Sequence, residues 1–247
     1  MIQPELKAYR RCSDRHVLVL ETNLTYVEKC QIFHYADLVR KAGNELTGIM
    51  KKRYDQLVRT KRYRKLKSLY KRYKDADNKK ALKDVCDQMK EMQKQYDVTW
   101  DYCRTSMIPI GKKYGIDAVF ALTKAEDVFR GIEKCLYSDG ETVHFKKRGD
   151  LPCIRAKQIN RGIIMKQMNF KFKNIEFGVN IKDRYEQEEV DAILYYLKHA
   201  EFMDSIAANT YKETDICVST YRPCYVSLVC KKIRGKLRVY VHITIEG

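Results

Sequence analysis

No stretch of this sequence approaches the roughly 20 consecutive apolar residues needed to span a bilayer. The opening segment, MIQPELKAYRRCSDRHVLVLE, lacks the apolar core and small-residue cleavage site of a secretory signal. A soluble, unprocessed, cytoplasmic protein with no membrane partner is expected. No CxxC pair occurs among the nine cysteines, at 12, 30, 86, 103, 135, 153, 217, 224 and 230. The closest set, Cys217, Cys224 and Cys230, lies on strand-like segments rather than a tight knuckle, which argues against zinc and for reduced thiols. The five histidines, at 16, 34, 144, 199 and 242, form neither HxxxH nor HExxH. P-loop, GxGxxG and GxSxG signatures are absent as well.

Two-metal cleavage of a phosphodiester needs converging carboxylates, usually with one on an apolar strand, and no acid is so placed. Asp183, Glu186, Glu188, Glu189 and Asp191 do cluster, but in the first turns of an expected helix, where acids complement the macrodipole. No catalytic residue, metal ligand or cofactor is therefore expected. What the sequence has in excess is positive charge: 49 Lys and Arg against 32 Asp and Glu, a net charge of +17. Such a balance favours an acidic partner, nucleic acid before an anionic membrane or an acidic protein. With 45% hydrophobic residues, the chain can also build a real core.

The charge is concentrated. KKRYDQLVRTKRYRKLKSLYKRYK, residues 51–74, holds twelve Lys or Arg against the single acid Asp55, with Tyr54, Tyr63, Tyr70 and Tyr73 among them. Like charges at i,i+4 on a helix repel, so the segment loses stability unless a polyanion offsets it. Cations displace counterions from phosphates and phenol rings offer faces to unpaired bases, a combination suited to RNA or single-stranded DNA. Arg53, Arg59, Arg62, Arg64 and Lys67 are the candidate phosphate contacts. Tyr54, Tyr63 and Tyr70 are candidate base contacts, but Tyr54, Tyr70 and Tyr73 also border the apolar stripe, so core packing and stacking both remain open.

Local patterns order the chain. HVLVLETNL, residues 16–24, reads as a strand, and Thr25 with Glu28 forms a capping box that starts a helix directly after it. Helical periodicity continues to about residue 136. One stripe holds Leu46, Ile49, Met50, Tyr54, Leu57 and Val58, and another Leu82, Val85, Cys86, Met89, Tyr96 and Trp100. Turns are expected at residues 75–78 and around Pro109, Gly111 and Gly115, and a second capping box at Thr123 and Glu126.

After Ser138-Asp139-Gly140 the alternation becomes strand-like, clearest in GIIMKQMNFKFKNIEFGVNIK, residues 162–182. A helix capped by Asp183 interrupts it from Tyr185 to about Ala208. A hairpin, CYVSLVCKKIRG and KLRVYVHITIEG, turns at Arg234-Gly235-Lys236, where glycine permits a positive φ. Two further basic groups lie here. HFKKRGDLPCIRAK offers Lys146, Lys147, Arg148, Arg155 and Lys157, which could grip a backbone or guard an edge strand. The hairpin offers Lys231, Lys232, Arg234, Lys236 and Arg238.

KKIRGKLRVYVHITIEG resembles the segment that precedes the RuvC nuclease domain in TnpB transposon nucleases and the related compact type V CRISPR effectors. HFKKRGDLPCIRAK is similar to that family's pattern of an aromatic, a basic run, a Gly turn and a small-plus-basic ending. The resemblance implies an α+β protein in which a wedge-type, OB-like β-barrel, residues 1–24 and 137–247, carries an inserted helical recognition lobe, residues 25–136. It further implies guide RNA on the barrel's basic residues and a guide–target DNA heteroduplex on the lobe, which would also help read the target-adjacent motif. The family's nuclease half would begin after Gly247. This chain is thus expected to bind guide RNA and target DNA without cutting, beside a separate RuvC-containing chain if one exists. Two other readings compete: a metal-independent ribonuclease that processes guide RNA through His144 or a basic neighbour, and a basic adaptor for acidic proteins or membranes.

Overall fold

The computed structural model describes residues 15–138, 140, 142–157, 160–166, 169–180 and 222–246. The expected helix after Asp183, with its acidic first turns, lies outside them. Contacts divide the chain into two units, Met1–Asp37 with Leu151–Gly247, and Leu38–Asp150. Both divisions fall C-terminal to the expected limits at 24 and 136, the first of them inside a helix.

The first unit is built on an antiparallel seven-stranded sheet. Its strands are β1 (Arg15–Thr22), β2 (Ile154–Arg155), β3 (Ile163–Lys166), β4 (Asn169–Phe172), β5 (Ile175–Asn180), β6 (Arg222–Ile233) and β7 (Lys236–Glu246). The order β2-β6-β7-β1-β5-β4-β3 brings β3 back toward β6, so the sheet nearly closes into a barrel. The expected alternation sets the inner face: Ile163, Met165, Phe170 and Phe172 are buried while Ile164, Lys166, Asn169 and Lys171 are exposed. Phe170 stacks on Phe177 at 5.8 Å, and the edge of Tyr35 meets Phe172 at 5.2 Å. Beyond β1, Asn23 pins Gly178 by a bond in each direction, accepting from its N–H at 2.9 Å and donating its own backbone N–H to the glycine carbonyl at 3.2 Å.

On β7, His242 is half-buried opposite Ser227 and Val19, with an Nε2 that meets no hydrogen-bond partner among the described residues. Burial first, and the charge of Lys231 second, hold its pKa below the ordinary 6.5. A depressed folded-state pKa means that the unfolded chain takes up the proton first. The contribution is kept above the unfolded value near 6.5 and lost as the pH falls through it toward the lower folded one. Melting temperatures measured by circular dichroism are therefore expected to fall between pH 7.5 and 5, and His242→Gln should flatten that part of the profile.

The helix that leaves β1 is α1 (Tyr26–Arg59). Its capping box forms as expected: Glu28 Oε2 accepts from the Thr25 N–H at 2.8 Å and from the Thr25 hydroxyl at 2.7 Å. The second unit holds the rest of α1 with α2 (Lys61–Asp75), α3 (Lys79–Gln95), α4 (Trp100–Tyr114) and α5 (Ala118–Tyr137). Leu46, Met50, Tyr54 and Leu57 of α1 are buried, whereas Ile49 and Val58 are only half-buried. Helix α2 packs on α3, with Val85 and Met89 buried, and α4 packs on α5.

Two expected breaks are corrected. Pro109 and Gly111 lie inside α4, held there by the buried neighbours Met107 and Ile110, and the chain turns only at Gly115, where φ is +62°. Thr123 does not start a helix. It sits within α5, where its hydroxyl donates to the Val119 carbonyl at 2.9 Å, and the N-cap is Asp117. No helix among the described residues is long and apolar enough to cross a membrane.

Candidate nucleic-acid interface

The basic run at 51–74 is divided in two at Thr60. That residue is extended, at φ −72° and ψ 132°, and its hydroxyl accepts the Tyr63 N–H at 3.3 Å, capping α2. The single acid of the preceding stretch is already engaged, because Asp55 pairs with Lys51 at 3.0 Å. Arg53 lies over the Tyr102 ring at 5.3 Å and reaches Asp97 at 3.5 Å, so it is tied into the helical packing. Arg59 and Lys52 remain exposed.

On α2 the inward and outward faces separate cleanly. Tyr63 and Leu66 point inward, whereas Lys61, Arg62, Arg64, Lys65, Lys71, Arg72 and Lys74 are exposed. No acid occupies the first turn, and Asp75 at the end is the sole carboxylate. Among the described residues, Arg59, Lys61, Arg62, Arg64, Lys65 and Arg72 have no ion pair.

The tyrosines are corrected in the opposite direction. Tyr54 is 6% exposed and Tyr63 is 0% exposed, so neither presents a face to a base. Burial pushes the Tyr54 phenol up to about 12. Tyr70 is half-buried, its ring 5.8 Å from Tyr137 with the Lys74 ammonium 6.0 Å above it.

Lys67 is half-buried and its ammonium is tethered for a specific reason. The last carbonyls of a helix lack intrahelical donors. At the end of α5 the Cys135 carbonyl accepts from Lys67 Nζ at 2.6 Å and from the Tyr54 hydroxyl at 3.2 Å. Lys67 and Tyr54 therefore cap α5, although nothing local to either residue indicates it. Burial, the main cause, lowers the Lys67 pKa.

Lys146, Lys147 and Arg148 are exposed on a loop that belongs by contacts to the helical unit rather than the sheet. Asn44 of α1 holds the Lys146 backbone at both ends, accepting its N–H at 2.9 Å and donating to its carbonyl at 2.9 Å. Arg40 adds a donor to that carbonyl at 3.3 Å. Asn44 and Arg40 are thus positioning residues that the sequence did not single out, since nothing local links them to a loop about 100 residues away. Gly149, at φ +100°, completes the expected turn. Nearby, His144 is exposed, with Nε2 3.2 Å from the Thr142 hydroxyl.

On the sheet unit, Arg155 lies over the Tyr225 ring at 5.5 Å and Lys231 over Tyr240 at 5.5 Å. Lys157, Lys232, Arg234 and Lys236 are exposed. Arg238 is held by Glu21 at 2.6 Å, which makes it part of the sheet's own electrostatics rather than a freely offered contact.

The hairpin tip stores strain. Ile233 pairs with Lys236, leaving Arg234 and Gly235 as a two-residue turn with φ of +48° and +78°. Glycine adopts this at no steric cost, while a side chain in the left-handed region costs about 1 kcal/mol. Arg234→Asn, a residue favoured at that turn position, is therefore expected to stabilise the protein by about 0.5 to 1 kcal/mol in chemical denaturation. Loss of stability would show that the guanidinium is structural.

Among the described residues no three His, Cys, Asp or Glu side chains converge as metal ligands would. Cys103 and Cys230 are buried, and burial pushes their thiols up to about 12, so both are inert nucleophiles at neutral pH. No protein-family model matches this chain and no curated protein sequence matches it significantly.

Proposed function

We propose that this protein binds nucleic acid without transforming it, gripping phosphates along the outer face of α2 and contacting structured RNA with the β6–β7 hairpin tip. The observation that carries this is the outer face of α2 itself. A solvated helix gains stability by mixing signs at i,i+3 and i,i+4, and this one forgoes that gain at every exposed turn before Asp75. Phosphates supply the missing counter-charge. The resemblance to TnpB-like and compact type V nucleases gives the proposal its specific form: guide RNA on the sheet unit, the guide–target DNA heteroduplex on the helices, and RuvC chemistry supplied by a separate domain or chain.

The test is a binding titration with a hairpin RNA, a single-stranded DNA and an RNA–DNA heteroduplex across a salt series. Each neutralised phosphate contributes about 0.7 to 0.9 to the slope of log affinity against log salt. Absence of binding at low salt would sink the proposal. Cleavage of labelled RNA in EDTA that disappears in His144→Ala would replace it with the ribonuclease reading.

A further inference from the structure

Beside the outer face of α2 there is a recess of about 250 Å³ between that helix and the end of α5. Lys67, Tyr70, Lys71 and Lys74 line one wall, on successive turns of α2, and Tyr137 and Ser138 line the other. We propose that this recess is a binding site for a phosphate monoester, such as the 5′ end of a strand.

The chemistry of the walls is specific. Lys67 Nζ gives one hydrogen bond to the Cys135 carbonyl and meets no other partner among the described residues, so two of its three N–H donors remain for a ligand. Its stem is packed and its ammonium is fixed in place by that bond, which lowers the entropy cost of ligand binding. Lys71 and Lys74 bring two more ammonium groups to the same wall, and Asp75 is the carboxylate among the described residues that line the recess. Burial and the nearby Lys71 charge both depress the Lys67 pKa, a penalty that a bound dianion would reverse. The Ser138 hydroxyl adds a donor.

Shape separates this site from the outer face. A helix flank can follow a continuing strand, whereas a recess of this volume holds a phosphate with its sugar and then ends. Base stacking is disfavoured inside it, because the Tyr70 ring already packs against Tyr137 at 5.8 Å and lies under the Lys74 ammonium at 6.0 Å. The ligand is thus recognised by its phosphate rather than its base.

For a strand end as ligand, the proposal rests on the nucleic-acid reading; for a free nucleoside monophosphate it stands alone. The experiment compares 5′-phosphorylated and 5′-hydroxyl versions of one short oligonucleotide, and titrates adenosine 5′-monophosphate separately. The wild type is expected to bind the phosphorylated strand about tenfold more tightly, the scale of one or two charge-assisted hydrogen bonds. Lys71→Gln with Lys74→Gln should erase that difference and keep the affinity for the hydroxyl strand within a few fold. Lys61→Gln with Lys65→Gln, which removes the same charge from the outer face, should weaken both strands and preserve the difference.

Lys67 is left intact in both variants because it caps α5. Tighter binding of the mononucleotide than of the phosphorylated strand would identify the free nucleotide as the occupant. Equal binding of the two strands together with no mononucleotide binding overturns the proposal while leaving the outer-face reading in place. Binding of neither strand refutes that reading instead, and the mononucleotide titration, repeated on the Lys71/Lys74 variant, then decides the recess by itself.

Discussion

Arg62→Glu with Arg64→Glu is expected to make the helical unit more stable and the protein a much poorer nucleic-acid binder. Both positions are exposed in the first turn of α2, where the native sequence has no acid and unpaired backbone N–H groups favour negative charge. Each acid placed there contributes about 0.3 to 1 kcal/mol through the macrodipole. The changes also convert the repelling pairs 62/65, 61/64 and 64/67 into attracting ones, each worth about 0.2 to 0.5 kcal/mol. No native contact is lost, because neither arginine has an ion pair among the described residues.

Affinity for a single strand should fall by about 100-fold near 0.15 M salt, with the salt slope reduced by about 0.7 to 0.9 for each of the two phosphates released. Opposite movement of the two readouts is the distinctive outcome. If the double variant bound normally, the outer face of α2 would not be the interface. If it unfolded, the arginines would be holding structure together.

Tyr63→Ala should be among the most destabilising single changes in the helical unit, costing about 3 to 5 kcal/mol, as large-to-small aromatic replacements in cores do. The side chain is fully buried, and the turn that places it is capped by Thr60. Tyr63→Phe should do the reverse. The hydroxyl has no hydrogen-bond partner among the described residues, and the neighbouring Gln93 is committed to Tyr137 at 2.8 and 3.0 Å. An unmade buried hydrogen bond costs about 1 to 3 kcal/mol, so removing the oxygen is expected to leave stability equal or higher. Burial also pushes this phenol's pKa upward, consistent with a hydroxyl kept from water. Denaturant unfolding checks both changes. Tyr63→Leu separates packing from recognition: it retains most of the volume and removes the ring, so affinity per folded molecule should not change. A loss of affinity in that variant would restore the base-stacking role expected from the sequence.

The features legible in the sequence were those whose cause is local. Thr25 and Glu28 are three residues apart and satisfy each other's donors, so the start of α1 could be read directly. Alternation reported the two faces of β3 and β4, and Gly235 marked the hairpin turn. The failures are equally physical. A threonine hydroxyl can cap a helix or bond back to the carbonyl four residues earlier, and Thr123 does the second because α5 already began at Ala118. Proline is tolerated within α4 because the buried residues on either side keep that helix packed. A capping box and a back-bonded threonine look alike until the preceding turn is known.

By itself the sequence determined that the chain has helices and an alternating β region, that cationic charge gathers at 51–74, and that the β6–β7 hairpin turns on a glycine. All of these follow from spacing over a few residues. The tertiary structure alone decided which members of the basic, aromatic run face solvent. Tyr54 and Lys67 became caps because the end of α5, 81 and 68 residues further along, brings an unsatisfied carbonyl to them. Tyr63 became core, Arg238 was taken by Glu21 of the adjacent strand, and Lys146 was moved to the helical unit by Asn44. Periodicity assigns a face to each residue, but the occupant of that face is set by long-range packing and by the need to pair every buried polar group. The arginines and lysines left over after that accounting form the proposed interface.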